Sequence, residues 1–260
     1  MIYELYVDKF AGNFKALAKK IPYLADLGVN CVHILPHYPL PMIDDGYDVS
    51  DYCAVRKDLG TLGDFDFFIK EASGAGIRVM VDLVLNHTST KHPWFLKAVS
   101  DLKSPERGYY FSTFYPEQAD LNWDNPLVFN EICRVMDFWA LHGVSAFRFD
   151  AISHLAKREG TNSKSISETH AVIKKIRKYT DEHYPNIAIL GEIHDVPEKT
   201  QKYFGEGEGD ECHLLYHFPL AEAFAEIVKR HGYWYIWEIF PRRIFKKSYE
   251  RQLSSGVAQR

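Results

Sequence analysis

The chain has 260 residues, of which 46% are hydrophobic and 25% are charged, and its formal net charge is -4. This much apolar material suffices for one sizeable core, and the length suits one or two domains or a single α/β barrel. The negative net charge does not indicate a basic face for nucleic acid, and no apolar run is long enough to cross a bilayer. We therefore expect neither a nucleic-acid partner nor a membrane partner.

The cysteine pattern and the first residues bear on the cell compartment. Four cysteines are widely spaced and form no Cys-x-x-Cys pair: Cys31, Cys53, Cys133 and Cys212. This spacing favours reduced thiols over a disulfide framework or a zinc site. The residues that follow Met1 lack the basic and apolar regions of a signal peptide. We therefore expect a cytoplasmic protein.

Short apolar runs alternate along the chain with amphipathic stretches, a pattern that predicts βαβ units and a parallel sheet. The first strand is expected at Ile2–Val7, and the first helix at Phe14–Leu27 with Asn13 as its N-cap. The later strands are expected at Cys31–Leu35, Ile77–Leu85, Val144–Phe149, Ile187–Ile193 and Cys212–Phe218. The later helices are expected at Asp64–Ala72, Pro126–His142, within 162–184, and at Leu220–Lys229.

The alternation is interrupted between residues 88 and 123, where aromatic residues, Pro and Ser are frequent and periodicity is weak. A structureless loop of that length is unusual inside a compact domain, so we interpret the segment as a small inserted domain. We therefore expect four segments: a first part of the barrel at 1–87, the insertion at 88–123, the continued barrel at 124–230 and an atypical tail at 231–260.

Polar residues stand at the ends of three predicted strands, within segments 82–87, 147–154 and 190–194. In a parallel barrel, catalytic groups gather at these ends because the loops converge there. Asp150 and Glu192 follow adjacent strands, which lie about 4.8 Å apart and suit the closely spaced carboxyl pair of a retaining glycosidase.

Arg148 precedes Asp150 by two residues, so both side chains point to the same side of the strand, where the guanidinium favours an ionised Asp150. The alternative interpretation is that these are ordinary strand-end ion pairs. It does not explain why all three clusters occupy the same end of successive strands.

The three clusters resemble the signature regions of glycoside hydrolase family 13, the α-amylase family. Segment 46–52 is also similar to that family, and 118–122 resembles a region of its oligo-1,6-glucosidase subfamily. The similarity is greatest to trehalose synthase and oligo-1,6-glucosidase-like members, through residues 2–10, 41–52, 157–162 and 209–220. The resemblance implies a (β/α)8 TIM barrel with a small domain B inserted after strand 3.

The resemblance also implies roles for single residues. Asp150 would be the nucleophile, Glu192 the general acid/base, and Arg148 would orient Asp150. Further substrate contacts are implied for Asp44, Tyr47, Asp82, His87 and His154. Three of these have simpler alternatives, since Tyr47 could be a packing aromatic, His87 a buried structural histidine and His154 a cap of the following helix.

The implied substrate is an α-linked gluco-oligosaccharide or disaccharide. No cofactor is required, and calcium is the one metal that the resemblance brings into question, through Asn86. Calcium takes six to eight oxygen ligands, and the sequence offers only this one. Segment 8–13 has a single acid, Asp8, where many relatives have an Asp-rich metal loop.

The end of the chain departs from the family pattern. No Asn-His-Asp sequence follows Glu192, although the family uses such a carboxylate near strand 7 to hold sugar hydroxyls. We therefore expect a barrel truncated after about strand 6. Two functions stay open: a retaining enzyme that hydrolyses α-glucosides or converts maltose to trehalose, and a catalytically impaired relative that only binds carbohydrate. A dehydrogenase fold is not supported, because no Gly-x-Gly-x-x-Gly follows the first strand.

Overall fold

The computed structural model describes residues 1–101, 109–205 and 209–231. The chain divides into two compact units, Met1–Tyr216 and His217–Arg260. Apart from its first residue, the tail expected at 231–260 lies outside the described residues. None of the helices in the described ranges is long and apolar enough to cross a membrane.

The first unit contains eight described strands and the second contains none in its described part. In chain order they are β1 Ile2–Leu5, β2 Cys31–Ile34, β3 Arg78–Val84, β4 His87–Ser89, β5 Gln118–Asp120, β6 Ala146–Asp150, β7 Ala188–Gly191 and β8 Leu214–Leu215. Six of them form one sheet in the order β1-β2-β3-β6-β7-β8, in which every neighbouring pair is parallel. This confirms the expected barrel architecture as far as its sixth parallel strand.

Helices connect the strands of the sheet. In chain order they are α1 Val7–Phe10, α2 Phe14–Ala18, α3 Ile21–Asp26, α4 Leu62–Gly74, α5 Pro93–Ser100, α6 Pro126–Leu141, α7 Ser167–His183, α8 Pro197–Thr200 and α9 Phe218–His231. Short 3-10 helices lie at Lys57–Leu59, Ile152–His154 and Gln201–Phe204. The described part of the second unit is α9.

The central strands β3 and β6 are buried on both faces, and their two faces carry different kinds of side chain. The face that packs with the helices is apolar and contributes Val79, Val81, Leu83, Phe147 and Phe149 to the main core. The opposite face carries a small apolar cluster of Met80, Ala146 and Leu190. Since side chains alternate with period two, Asp82 and Arg148 follow directly above that cluster on the same face. The sequence thereby places polar side chains inside the curved sheet.

The predicted helix at Phe14–Leu27 is wrong as a single element, because the structure divides it into α2 and α3. Pro22 lacks an amide hydrogen and is accommodated in the first turn of α3, so one continuous helix cannot form. Asn13 caps α2 as predicted, because its side chain accepts a hydrogen bond from the Ala16 amide at 2.9 Å. Val7 begins α1 rather than ending the first strand.

The predicted sixth strand, Cys212–Phe218, is also longer than the observed one. Only Leu214 and Leu215 pair, with Leu190 and Gly191 of β7. Phe218 instead begins α9.

The segment interpreted as an inserted domain contains a second, smaller sheet. β4 and β5 pair antiparallel, with His87 opposite Asp120 and Ser89 opposite Gln118. Helix α5 lies between the two strands in the chain. The boundaries 88–123 stay a prediction.

Candidate active site

Three carboxyls meet at the carboxyl ends of adjacent parallel strands. Asp82 lies in β3, Asp150 is the last residue of β6, and Glu192 directly follows β7. Their common partner is the buried Arg148. Its Nη1 atom lies 2.7 Å from Asp82 Oδ1 and 2.5 Å from Asp150 Oδ1, and its Nη2 atom lies 3.0 Å from Glu192 Oε2. The structure thus brings four predicted site residues together.

Electrostatics in this cluster are unbalanced, because three carboxyls share one guanidinium. Burial raises the pKa of Asp150 well above its ordinary value, and the nearby Asp82 and Glu192 carboxyls raise it further. Arg148 lowers that pKa, as predicted, but burial outweighs it. The prediction that Arg148 keeps Asp150 ionised is therefore incomplete. The raised pKa of Asp150 reflects the cost of keeping several buried carboxylates beside a single guanidinium.

The residue after Asp150 adopts a strained backbone conformation. Ala151 has φ of 45° and ψ of 36°, in the left-handed region that non-glycine residues rarely adopt. This turn directs the Ala151 amide toward Glu192, whose Oε2 accepts its hydrogen bond at 3.0 Å. Glu192 is therefore held by Arg148 and by this amide. Strain of this kind persists where the surrounding structure determines it, and it is frequent at functional sites.

Tyr47 reaches the carboxyl cluster from the loop after β2. Its hydroxyl donates to Asp82 Oδ2 at 3.3 Å, and the Arg148 guanidinium carbon lies 5.5 Å from the centre of its ring. The neighbouring Gly46 has φ of 119°, and a Cβ atom there would lie 2.8 Å from the Pro36 side chain. The loop therefore needs glycine at this position to bring Tyr47 into the site.

Asp44 is fixed from the same loop and from the insertion. Gln118 of β5 donates a hydrogen bond from Nε2 to Asp44 Oδ2 at 2.9 Å. The buried Asp48 carboxylate accepts the Ile43 amide at 3.0 Å, which holds the turn before Asp44. A half-buried carboxylate with one oxygen engaged is suited to bind a sugar hydroxyl with the other, as the resemblance implied.

His87 is buried, and protein groups face both of its ring nitrogens. Nε2 lies 3.1 Å from the Tyr47 carbonyl, which only accepts, so Nε2 carries the proton and donates it. Nδ1 lies 3.3 Å from the Asn86 side-chain amide. Burial lowers the pKa of His87 to about 4, so the ring is neutral near pH 7. The predicted hydrogen bond to sugar therefore requires His87 to share a nitrogen that already has a partner.

Phe114, in the insertion, was missed by the sequence reasoning. Its ring meets the edges of His87 and His154 at centroid distances of 5.5 and 5.7 Å, while the side chain stays partly exposed. Burial lowers the pKa of His154. Phe114 therefore connects His87 with His154 through two edge-to-face ring contacts. No sequence pattern distinguished Phe114 from the other aromatic residues of the insertion.

Asn86, the candidate calcium ligand, contacts a lysine ammonium. Lys157 Nζ lies 2.9 Å from Asn86 Oδ1 and 2.8 Å from Asp120 Oδ2, and it also donates to the His154 carbonyl. Three oxygens that would attract a metal ion thus converge on a cation of the chain itself. These residues do not fit calcium, which needs six to eight oxygens and no competing positive charge.

The sequence matches the Alpha-amylase family, described as alpha amylase, catalytic domain, over residues 7–113 and 104–251. The chain belongs to this family. Among curated relatives, it is 40% identical over 261 residues to a trehalose synthase of Thermus thermophilus, covering 85% of this chain and 27% of that protein. It is 34% identical to a trehalose synthase/amylase of Mycobacterium tuberculosis, covering 92% of this chain and 47% of that protein. A glucan 1,6-alpha-glucosidase of Streptococcus pneumoniae is 30% identical, covering 84% of this chain and 47% of that protein.

Solved structures of the α-amylase family share this fold. A family GH13_31 enzyme superposes with a TM-score of 0.75 at 26% identity, covering 84% of this chain and 51% of that chain. The trehalulose synthase MutB of Pseudomonas mesoacidophila superposes with a TM-score of 0.77 at 28% identity, covering 86% of this chain and 50% of that chain. The chain therefore spans about half the length of these structures, and half or less of the curated relatives described above.

Proposed function

We propose that this chain carries the catalytic acids of an enzyme that processes α-linked glucosides by a retaining double displacement. The observation that carries the proposal is the contact of one guanidinium, Arg148, with three carboxyls at the ends of β3, β6 and β7. Membership of the α-amylase family and similarity to trehalose synthases and a glucosidase support it. The proposed substrate is an α-linked gluco-oligosaccharide or disaccharide.

In the first half-reaction, an Asp150 carboxylate oxygen attacks the anomeric carbon of the glucosyl unit. The bond from that carbon to the glycosidic oxygen breaks, and Glu192 transfers a proton to the departing oxygen. The result is a covalent glucosyl ester on Asp150 and a free leaving sugar.

In the second half-reaction, a hydroxyl group attacks the same carbon from the face that the leaving group vacated. Glu192 accepts the proton of this hydroxyl, and the ester bond to Asp150 breaks. Water as the acceptor releases glucose, whereas the anomeric hydroxyl of a retained glucose gives trehalose. Exclusion of water from the closed site decides between them.

The other site residues are proposed to bind the glucosyl unit. Asp44 accepts from a terminal sugar hydroxyl, Tyr47 stacks on the ring, and His87 shares a ring nitrogen with a hydroxyl. Asp82 holds the same subsite, and His154 lies toward the leaving sugar. The insertion at 88–123 forms one wall of the cleft, because both Gln118 and Phe114 belong to it.

A second candidate function is carbohydrate binding without turnover. It is favoured by one observation, the raised pKa of the buried Asp150, because a protonated carboxyl is a weak nucleophile. Calorimetric binding of maltotriose by a sample that never cleaves it would favour this alternative.

The test is incubation of the chain with maltose while glucose and trehalose are measured over time. Turnover that Asp150→Asn abolishes is the expected result, and the product identifies hydrolysis or transfer. Asp66→Asn is the matched control, because Asp66 pairs with His142 on the helices outside the sheet. Turnover that survives Asp150→Asn unchanged would refute the assignment.

A further inference from the structure

A buried histidine lies one layer below the carboxyl cluster. His33 of β2 is fully buried and stands opposite Glu4 of β1 in the parallel register. Its Nδ1 atom lies 2.9 Å from Glu4 Oε2. Its Nε2 atom lies 3.3 Å from Asp82 Oδ2, at ion-pair distance although outside the angle of a linear hydrogen bond. A carboxylate therefore faces each nitrogen of one ring.

Only the protonated ring suits this arrangement. A neutral imidazole has one N–H and one lone pair, so one of its nitrogens would direct a lone pair at a carboxylate oxygen. Carboxylates only accept, and in a buried setting such a contact is repulsive. The imidazolium has an N–H at both positions and favourable contacts with Glu4 and Asp82.

The charges around His33 come from every neighbouring strand. Glu4 faces it from β1 and Asp82 from β3, while Tyr216 beyond β8 donates its hydroxyl to Glu4 at 3.0 Å. Above them, Tyr47 and Arg148 contact Asp82. Burial alone lowers the pKa of His33, but the contacts with Asp82 and Glu4 outweigh burial and raise it.

His37 provides a comparison within the same chain. It is equally buried four residues further along, but no carboxylate contacts its ring, and both ring nitrogens lack a partner among the described residues. Burial lowers its pKa to about 3. The two histidines differ in their partners rather than in their burial, so the Glu4 and Asp82 contacts account for the opposite directions in which the two pKa values move.

We propose that His33 is a positively charged positioning residue, which fixes the Asp82 carboxylate beneath Arg148 in the sequence of contacts Glu4–His33–Asp82–Arg148. The charge itself is independent of the enzyme's reaction, and its catalytic consequence rests on the proposed function. Asp82 presents Oδ1 to Arg148 and Oδ2 to His33 and Tyr47. When His33 loses its proton, Asp82 keeps Arg148 as its cationic partner. The Asp82–Arg148 contact then strengthens, and the Arg148–Asp150 contact weakens.

The first experiment measures the charge without any substrate. Two-dimensional NMR of the chain with ¹⁵N-labelled histidine reports which ring nitrogens carry protons, and His33→Gln assigns the signal. We expect both nitrogens of His33 to be protonated at pH 7 and Glu4→Gln to lower its titration midpoint. His142→Gln, which removes a histidine paired with Asp66 away from the site, leaves the His33 midpoint unchanged. A neutral His33 at pH 7, or a midpoint that Glu4→Gln does not move, overturns the proposal.

The second experiment measures kcat/KM for maltose against pH. Since the contact acts only while His33 is protonated, activity falls on the alkaline side as His33 loses its proton. Glu4→Gln moves that fall to lower pH. His33→Gln lowers kcat/KM by about tenfold at neutral pH and leaves only the fall that deprotonation of the general acid Glu192 causes, which Glu4→Gln does not move in that background. His142→Gln keeps the parent profile. Profiles of Glu4→Gln and His33→Gln identical to the parent overturn the positioning role.

The two experiments separate the two claims. Absence of maltose turnover in the parent chain contradicts the proposed function, while the NMR titration still decides whether His33 is charged. The buried His33→Gln variant risks misfolding, whereas Glu4 has a side chain that is 48% exposed and tolerates replacement better. Glu4→Gln therefore tests the proposal even if His33→Gln does not fold.

Discussion

At the scale of single residues, the site depends on one buried cation. Arg148 contacts three carboxyls at once, and its side chain is only 7% exposed. Removing one member of a buried ionic group leaves the others without compensation, which costs far more than losing a surface pair. Arg148 therefore contributes both to the stability of the strand ends and to the chemistry of the site.

Arg148→Met should lower the free energy of unfolding by about 3–5 kcal/mol at neutral pH. The loss shrinks in acid, because protonation then neutralises the carboxyls that have lost their partner. Urea denaturation at pH 5 and pH 8 measures both effects. Arg134→Met is the control, since Arg134 makes an exposed pair with Glu131 and should change stability by about 0.5 kcal/mol or less. A loss equal at both pH values would contradict this account.

His37 predicts the opposite response to replacement. Its ring stacks on Phe65 and meets the edge of Trp139, and neither nitrogen has a partner within the described residues. His37→Phe should stabilise the protein by about 1 kcal/mol at pH 7, because a buried unsatisfied polar group is removed.

The gain from His37→Phe should grow by about 2 kcal/mol at pH 5. The folded pKa of about 3 lies below the unfolded value near 6.5, so the unfolded state binds the extra proton in that range. The parent chain therefore loses stability as pH falls from 6.5 toward 3, and the variant lacks this loss. Denaturation at both pH values checks it, and a gain that is independent of pH would contradict the assignment.

At the scale of elements, the strand ends were predictable and the contacts between distant elements were not. The acidic clusters follow apolar runs, so the sequence located Asp82, Asp150 and Glu192 at one edge of a parallel sheet. The division of the first helix at Pro22 also had a visible cause. By contrast, the pairing of Lys157 with Asn86 and of His33 with Asp82 depends on how separate strands align, which periodicity does not specify.

The insertion is tied to the barrel through Asp120 of β5. Its carboxylate accepts from Asn86 and Thr113 and pairs with Lys157 at 2.8 Å, and its side chain is 1% exposed. Lys157→Met should cost about 3 kcal/mol, because Asp120 is left buried without a cation. Thermal unfolding measures this, with the exposed Lys178→Met as control.

The contacts of Lys157 also predict how the melting temperature responds to chelation of metal ions. Because Lys157 supplies the positive charge at Asn86, we expect EDTA to leave the melting temperature of the parent chain unchanged. A melting temperature that falls with EDTA and returns with calcium would contradict the lysine's role and restore the calcium site.

The close packing behind Glu192 yields a prediction about β7. A Cβ atom on Gly191 would lie 2.7 Å from Cys212 Sγ and 2.9 Å from Ile152 Cδ1. Gly191→Ala should therefore cost about 1–3 kcal/mol and lower kcat by displacing Glu192. Adding Cys212→Ala makes room, so the double variant should be more stable than the sum of the single changes predicts. Strict additivity measured by denaturation would contradict this packing.

At the scale of the whole molecule, the six parallel strands bring the two proposed catalytic acids to one edge of the sheet. Asp150 ends β6 and Glu192 follows β7, and these two strands are neighbours. The sequence predicted this because adjacency of the two strands follows from chain order in a barrel. The raised pKa of Asp150 could not be predicted, since it depends on burial and on the positions of Arg148, Asp82 and Glu192.

The most direct test of Asp150 as the nucleophile is to trap the glucosyl-enzyme. The chain is incubated with 5-fluoro-α-glucosyl fluoride, a substrate analogue that forms a slowly hydrolysed ester, and is then digested and mapped by mass spectrometry. We predict a single glycosyl adduct on the peptide that contains Asp150, which is absent from Asp150→Asn. An adduct on another residue, or no adduct in the folded parent chain, would contradict the central claim.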